Sequence, residues 1–132
     1  MTFDLEDFRR RYAADSFAAG GLGAQIDEVD EGYALCSMAL DEKRHFNASG
    51  FVMGGVAFTL ADFAFAVATD AVKTGTVSLS SQITYLSRVR GKRLIAEARC
   101  QKSGRHTCYY TVSVSDDTDT RIAEVTITGY IR

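Results

Sequence analysis

The stretch His45-Phe46-Asn47-Ala48-Ser49-Gly50-Phe51-Val52-Met53-Gly54-Gly55-Val56-Ala57-Phe58-Thr59-Leu60-Ala61-Asp62 opens an apolar run that decides the fold. From Phe46 through Val72 the only charged residues are Asp62 and Asp70. The run predicts one long helix over residues 54–73, starting at Gly54-Gly55 and ending near Lys73 and Gly75. Lysine near a helix C-terminus suits the macrodipole, and glycine just beyond is a usual stop. A helix apolar on nearly every side must be covered on nearly every side. Residues 51–69 are long enough to be scored as a membrane span. A central Asp62 would cost about 2.5–3.5 kcal/mol there, the flanking charges are mixed, and amphipathic strands follow. The helix is therefore read as buried inside the protein.

Downstream, the pattern changes to alternation. In residues 76–86, Val77, Leu79, Ile83 and Tyr85 alternate with Ser78, Ser80, Gln82 and Thr84. Leu94, Ala96, Ala98 and Cys100 share a face in 93–102, as do Cys108, Tyr110, Val112 and Val114 in 106–115. Ala123, Val125, Ile127 and Ile131 do so in 121–131. These are period-two strands, with turns at Arg90-Gly91-Lys92, Ser103-Gly104-Arg105 and residues 115–120. Upstream, residues 22–30 and 32–40 read as a hairpin turning at Asp30-Glu31-Gly32, and residues 41–53 as mostly loop. Phe3, Leu5, Phe8 and Tyr12 lie near helical spacing in 3–14, and Gly20-Gly21 is expected to break that helix. Hairpin-linked strands argue for an antiparallel sheet. The expected class is α+β: one domain over 1–132, with 1–18 an N-terminal helical segment.

At 132 residues there is no room for two ordinary domains. Hydrophobic residues make up 46% and charged ones 24%, a globular composition, and the chain has no proline. A net charge of −2 and a pI near 5.6 argue against a phosphate-neutralising nucleic-acid binder. The first residues lack the pattern of a secretory signal. Cys36, Cys100 and Cys108 are too few and scattered for a disulfide framework. A cytoplasmic, reduced protein is the expectation.

The segment His45–Asp62 resembles the motif H-x-N-x-x-G-x-x-H-G-G-x-x-x-x-L-A-D of PaaI-like, phenylacetate-pathway-type hotdog thioesterases. Every stated position matches except Met53, where that family usually has histidine. The resemblance implies a hotdog fold: an antiparallel sheet of about six strands wrapped around one long buried helix. It implies hydrolysis of acyl-CoA thioesters without a cofactor. It also implies a homodimer or dimer of dimers, with sites at the interface where Gly54 and Asn47 of one subunit meet Asp62 and Ser78 of the other.

The residue types fit that chemistry. The first N–H groups of a helix lack intrahelical partners and sit at the positive end of its dipole. A thioester carbonyl held there would have its developing oxyanion stabilised. The resemblance assigns this to the Gly54 N–H, with Gly55 allowing close approach; the bland alternative is that both glycines only permit tight packing. Asp62 has Phe58, Thr59, Phe65 and Ala66 as helical neighbours, so burial should raise its pKa and make it a better base. By resemblance it is the general base or the nucleophile. Asn47 would orient water or the carbonyl, or else merely form an Asx turn. Ser78 would position the water, although Ser80 and Ser81 lie close in sequence. His45 would sit near substrate or brace its loop. Met53 cannot replace the hydrogen bond of histidine.

Arg88 and Arg105, in basic turns with Arg90, Lys92, Arg93 and Lys102, could grip coenzyme A phosphates or simply be solvated. Phe58, with Phe51, Phe63, Phe65 and Tyr85, could line an acyl pocket or belong to the core. Cys100, His106 and Cys108 match no zinc spacing, and no phosphate-binding or serine-hydrolase motif is present. Two further readings stand beside the thioesterase. A hotdog hydratase or dehydratase would want a paired acid and base, for which only His45 is available. A non-catalytic acyl-CoA sensor would not need Asp62.

Overall fold

The computed structural model describes residues 3–132. Met1 and Thr2, at the head of the expected N-terminal segment, lie outside the described residues. Asp4 caps helix α1 (Leu5–Tyr12) by accepting from the Glu6 and Asp7 amides, and Arg9, Arg10 and Arg11 fill its last turn. The acidic start and basic end both suit the helix dipole. Gly20 and Gly21 do not break this helix. It has already ended at Tyr12, and the glycines lie inside a separate π-helical turn, Ser16–Leu22, capped by Asp15 and closed by left-handed Gly23.

Strands β1 (Gln25–Asp30) and β2 (Tyr33–Ala39) form the expected hairpin, with Gly32 at positive φ in its turn. A short helix α2 (Glu42–His45), capped by Asp41, replaces part of the expected loop. The long helix α3 spans Gly54–Asp70, ending three residues before the predicted limit at Lys73. Strands β3 (Thr76–Tyr85), β4 (Arg93–Ser103), β5 (Thr107–Asp116) and β6 (Arg121–Ile131) follow. All pairings are antiparallel, in the order β1-β2-β4-β5-β6-β3. No helix of the described residues is long and apolar enough to cross a membrane.

Alanines set the closeness of helix and sheet. Ala57, Ala61, Ala64 and Ala68 recur at helical spacing along α3, and Ala34, Ala96 and Ala98 line β2 and β4; all are buried. Small side chains on both surfaces let the helix lie close to the strands. Larger groups fill the flanks, including Phe65, whose ring meets Tyr110 edge-on at 5.3 Å. The inward faces expected for β4, β5 and β6 hold throughout, apart from Cys100, which is half-buried at the sheet end.

Strand β3 departs from its expected pattern. The pairing with β6 shifts between Ser78 and Ser80, leaving Leu79 as a bulge. An extra residue exchanges inside and outside beyond it. Val77 therefore pairs with exposed Tyr130, whereas Ile83 pairs with buried Val125. Nearly the whole strand is exposed, and among the described residues its other edge has no partner strand.

Helix α3 is not covered on every side within one chain. Phe58, Thr59, Asp62, Ala66 and Asp70 form a stripe that the sheet leaves open. Helix α1 reaches the C-terminal part of that stripe. Tyr12 donates to the Ala66 carbonyl at 3.1 Å, and Arg11 pairs with Asp70 at 2.6 Å.

Candidate active site

The N-terminus of α3 differs from those of the other helical segments. Asp4, Asp15 and Asp41 each cap a helix or π-helical turn with a side-chain oxygen. Met53 stands at the equivalent position of α3 and makes no side-chain cap. The Gly54 and Gly55 amides have no acceptor among the described residues. The end of the longest helix thus presents free donors at the positive end of its dipole.

The loop before it is tightly held. Asn47 Oδ1 accepts from the Ser49 and Phe51 amides at 3.0 and 3.1 Å, an Asx turn completed by Gly50 at positive φ. The Asn47 side-chain oxygen is therefore occupied, and only its amide NH2 is free to reach outward. His45 is buried at 2% exposure. Its Nδ1 accepts from the Asp41 amide at 2.9 Å and its carbonyl accepts from the Met53 amide at 2.9 Å. The His45 ring lies inside the loop, and its Nε2 is buried with no hydrogen-bond partner among the described residues.

Gly54 is close-packed and Gly55 is not. A Cβ on Gly54 would lie 2.7 Å from the Tyr85 hydroxyl, and one on Gly55 would lie 3.4 Å from Met53 Cε. Open donors and tight packing coexist here. A small cleft of about 60 Å³ at this end of the helix is lined by Phe51, Met53, Gly54, Tyr85 and Arg88, among others. The Arg88 guanidinium lies over the Phe51 ring, 4.1 Å from its centroid.

Asp62 lies two turns further along α3. It is exposed in the single chain, on the open stripe, rather than walled in by apolar side chains. Surrounding protein still removes enough water from the carboxyl to push its pKa up. The negative charge of Asp15 adds to that rise, and a hydrogen bond from Ser78 opposes it. The Ser78 hydroxyl donates to Asp62 Oδ1 at 3.4 Å. Ser80 and Ser81 make no such contact. Phe58 is half-buried one turn before Asp62 on the same stripe.

Eight residues of helix separate Gly54 from Asp62, a rise of about 12 Å. One chain cannot apply both to a single carbonyl. Nor does it bring the two basic residues together. Arg88 lies at the start of α3, whereas the turn carrying Arg105 is tethered to the other end by the Lys73 ammonium on the Gly104 carbonyl at 3.2 Å. Arg93 is occupied by Ser37 at 2.8 Å.

A larger cavity, about 350 Å³, lies between α1, the π-helical turn and β1, lined by Arg9, Tyr12, Ile26 and Phe63 among others. Of the aromatic residues considered above it includes only Phe63.

The model of the Thioesterase superfamily matches residues 49–123. The chain belongs to that superfamily. This thioesterase-superfamily chain is 36% identical over 103 residues to a protein of Archaeoglobus fulgidus named as a candidate esterase, covering 77% of the chain and 66% of that relative. It thus spans about two thirds of that relative's length. It is 29% identical over 106 residues to the acyl-coenzyme A thioesterase PaaI of Escherichia coli, covering 80% of the chain and 75% of the relative. Among solved structures, a mutant of the phenylacetic acid degradation protein PaaI from Thermus thermophilus has a TM-score of 0.80 at 26% identity, covering 86% of this chain and 97% of that one. A Streptococcus mutans protein bound to acetyl CoA has a TM-score of 0.77 at 25% identity, covering 83% and 88%. The six-stranded antiparallel sheet packed on one long helix is the hotdog fold of these thioesterases.

Sequence reasoning missed two residues at or near this region. Tyr85 appeared only as a pocket-lining candidate, because nothing local places a strand end over Gly54. Asp116 was not singled out at all. It is buried at 1% exposure and accepts from Thr118, Thr120, Arg90 and Gly91, which fixes the turn after Arg88. Burial alone would raise its pKa. The bonds from Thr118, Arg90, Gly91 and Thr120 outweigh that and hold it well below the usual carboxylate range.

Proposed function

We propose that this chain hydrolyses acyl-CoA thioesters to a free acid and coenzyme A, with two copies building each site. The observation that carries the reading is the pairing of Asp62 with Ser78 on an unpaired strand edge, on the same chain as an uncapped helix start. An exposed edge of this length invites another strand. If β3 of two copies paired antiparallel about a two-fold axis, the Ser78 end of one would lie beside the Tyr85 end of the other. Ser78 holds Asp62, and Tyr85 packs on Gly54. The pairing would therefore bring Asp62 of one copy to Gly54 of the next.

In that arrangement Asp62 takes the proton of a water oriented by Ser78, or attacks the thioester itself. The Gly54 amide holds the oxyanion. Asn47 offers its amide NH2, and Arg88 lies at the cleft rim for the phosphates of the substrate. Acyl-CoA as substrate is supported by the names of the Escherichia coli relative and of the acetyl-CoA-bound neighbour. The three free thiols fit a reducing compartment, in keeping with a cytoplasmic enzyme.

The test is thiol release from short, medium and aryl acyl-CoAs by wild type and Asp62→Ala. Turnover that falls at least 100-fold in the variant supports the reading, since general-base catalysis contributes about 10²–10⁴-fold. Tight binding without turnover by wild type would instead favour the sensor.

A further inference from the structure

We infer that the Tyr85 phenol is a second oxyanion donor beside the Gly54 amide; the inference rests on the thioester reading above. The Tyr85 ring fills the space that a side chain on Gly54 would need, with the hydroxyl 2.7 Å and Cζ 2.8 Å from an ideal Cβ there. Cα–Cβ bonds of a helix tilt toward its N-terminus. A hydroxyl at that position therefore lies on the start of the helix, where the Gly54 and Gly55 amides have no acceptor among the described residues.

This hydroxyl is uncommitted. The Tyr12 hydroxyl donates to Ala66 and that of Tyr33 to Glu97, but that of Tyr85 has no hydrogen-bond partner among the described residues. Its backbone is nonetheless fixed. Tyr85 pairs with Ala123 of β6, and the next amide, Leu86, donates to the Ile122 carbonyl at 2.8 Å. A donor that is free yet anchored on a paired strand costs little reorganisation when charge appears.

Residue 53 cannot do this work. The Met53 thioether lies over Gly55 and carries no proton to donate. A thioester carbonyl in the cleft would accept from the Gly54 N–H and the Tyr85 O–H together. As water attacks the carbonyl carbon, Asp62 takes its proton and the carbonyl oxygen becomes the oxyanion. Collapse breaks the C–S bond, and the coenzyme A sulfur leaves with the proton from Asp62. Tyr85 keeps its own proton throughout.

Tyr85→Phe keeps the ring and removes the donor. The expected result is a fall in kcat of about 100-fold, with KM within about twofold and an unchanged circular dichroism spectrum and Tm. Adding Met53→His to Tyr85→Phe should restore at least about tenfold of that loss by returning a donor to the same rim. Wild-type kcat in Tyr85→Phe would overturn the inference and leave the thioesterase reading standing. Binding of acetonyl-dethio-CoA, a ketone that cannot be hydrolysed, is the readout that does not need turnover. Binding within about twofold of wild type in Tyr85→Phe supports a donor that acts on the developing oxyanion, and a loss of binding as large as the loss of kcat overturns it.

Discussion

Asp62 and Asp116 are both aspartates hydrogen-bonded to a hydroxyl side chain, yet their surroundings push them in opposite directions. Partial desolvation and the charge of Asp15 raise Asp62 against a single long bond from Ser78. Its proposed role as base requires the ionised form, so kcat/KM should fall as pH drops through a pKa above the ordinary value of about 3.9. A pH–rate profile checks this: an acidic limb at or below the ordinary value would count against Asp62 as the base. The same raised pKa favours the protonated carboxyl in the folded state. That contribution is present below the unfolded pKa and lost as pH rises through the folded one. Asp62→Asn should therefore show a higher Tm than wild type at neutral pH, measured by thermal melts. Asp116 is the reverse case. Its folded pKa is depressed, so its contribution is present above the unfolded value and lost as pH falls through the folded one. Asp116→Ala should cost about 1–3 kcal/mol at neutral pH by urea denaturation, because four part-buried amides lose a charged acceptor, with the deficit shrinking in acid. Asp62 stood out in the sequence as an acid within a long apolar helix, although the fold leaves it exposed on the open stripe of one chain. Asp116 did not, since Ser115-Asp116-Asp117-Thr118-Asp119-Thr120 offers three acids with the same local credentials. Only the fold decides which one closes on the turn at Arg90-Gly91.

At the scale of elements, periodicity succeeded where a register shift falls near a strand end, between Cys100 and Lys102 of β4 or Val114 and Ser115 of β5, and leaves the buried face intact. Strands β4, β5 and β6 pack an alternating face against α3, and their hydrophobic residues announced it. Strand β3 misled because the bulge at Leu79 exchanges its faces midway, and no residue type marks a bulge that contains no glycine. The Gly20-Gly21 pair misled for another reason: glycine permits an unusual helical turn as readily as it ends a helix. The register of β3 depends on Gly129 of β6, which faces Ser78. A Cβ at Gly129 would lie 2.8 Å from Cys108 Sγ, 2.9 Å from Thr76 and 3.0 Å from Phe65. Gly129→Ala should destabilise the chain by about 1–3 kcal/mol, and turnover should fall further than stability explains as Ser78 shifts from Asp62. Urea titration and thiol-release kinetics on one preparation separate the two effects.

For the whole molecule, the open stripe of α3 and the bare edge of β3 belong to the same side of the chain, and the proposed dimer covers both. Leu79→Lys places a charge near the centre of that edge, where two copies would meet their own repulsion. It should give a monomer by light scattering, with its sheet intact by circular dichroism and turnover reduced at least tenfold. Mixing two inactive variants gives a sharper readout. Refolded together in equal amounts, Asp62→Ala and Gly54→Ala would form mixed dimers in which both lesions share one site and the other site is whole. About one quarter of wild-type activity should return, whereas no recovery would place the whole site within one chain. The sheet order has a last consequence, for synthesis on the ribosome. Strand β3 is made before β4, β5 and β6, yet its sole partner among the described residues is β6. It must wait, unpaired, while some 35 further residues are translated (Leu86–Thr120) before its neighbour begins to emerge. The serine that bonds Asp62 is therefore fixed late, and a nascent chain carries a sticky ribbon, without its proposed site, for most of its time in the exit tunnel's neighbourhood.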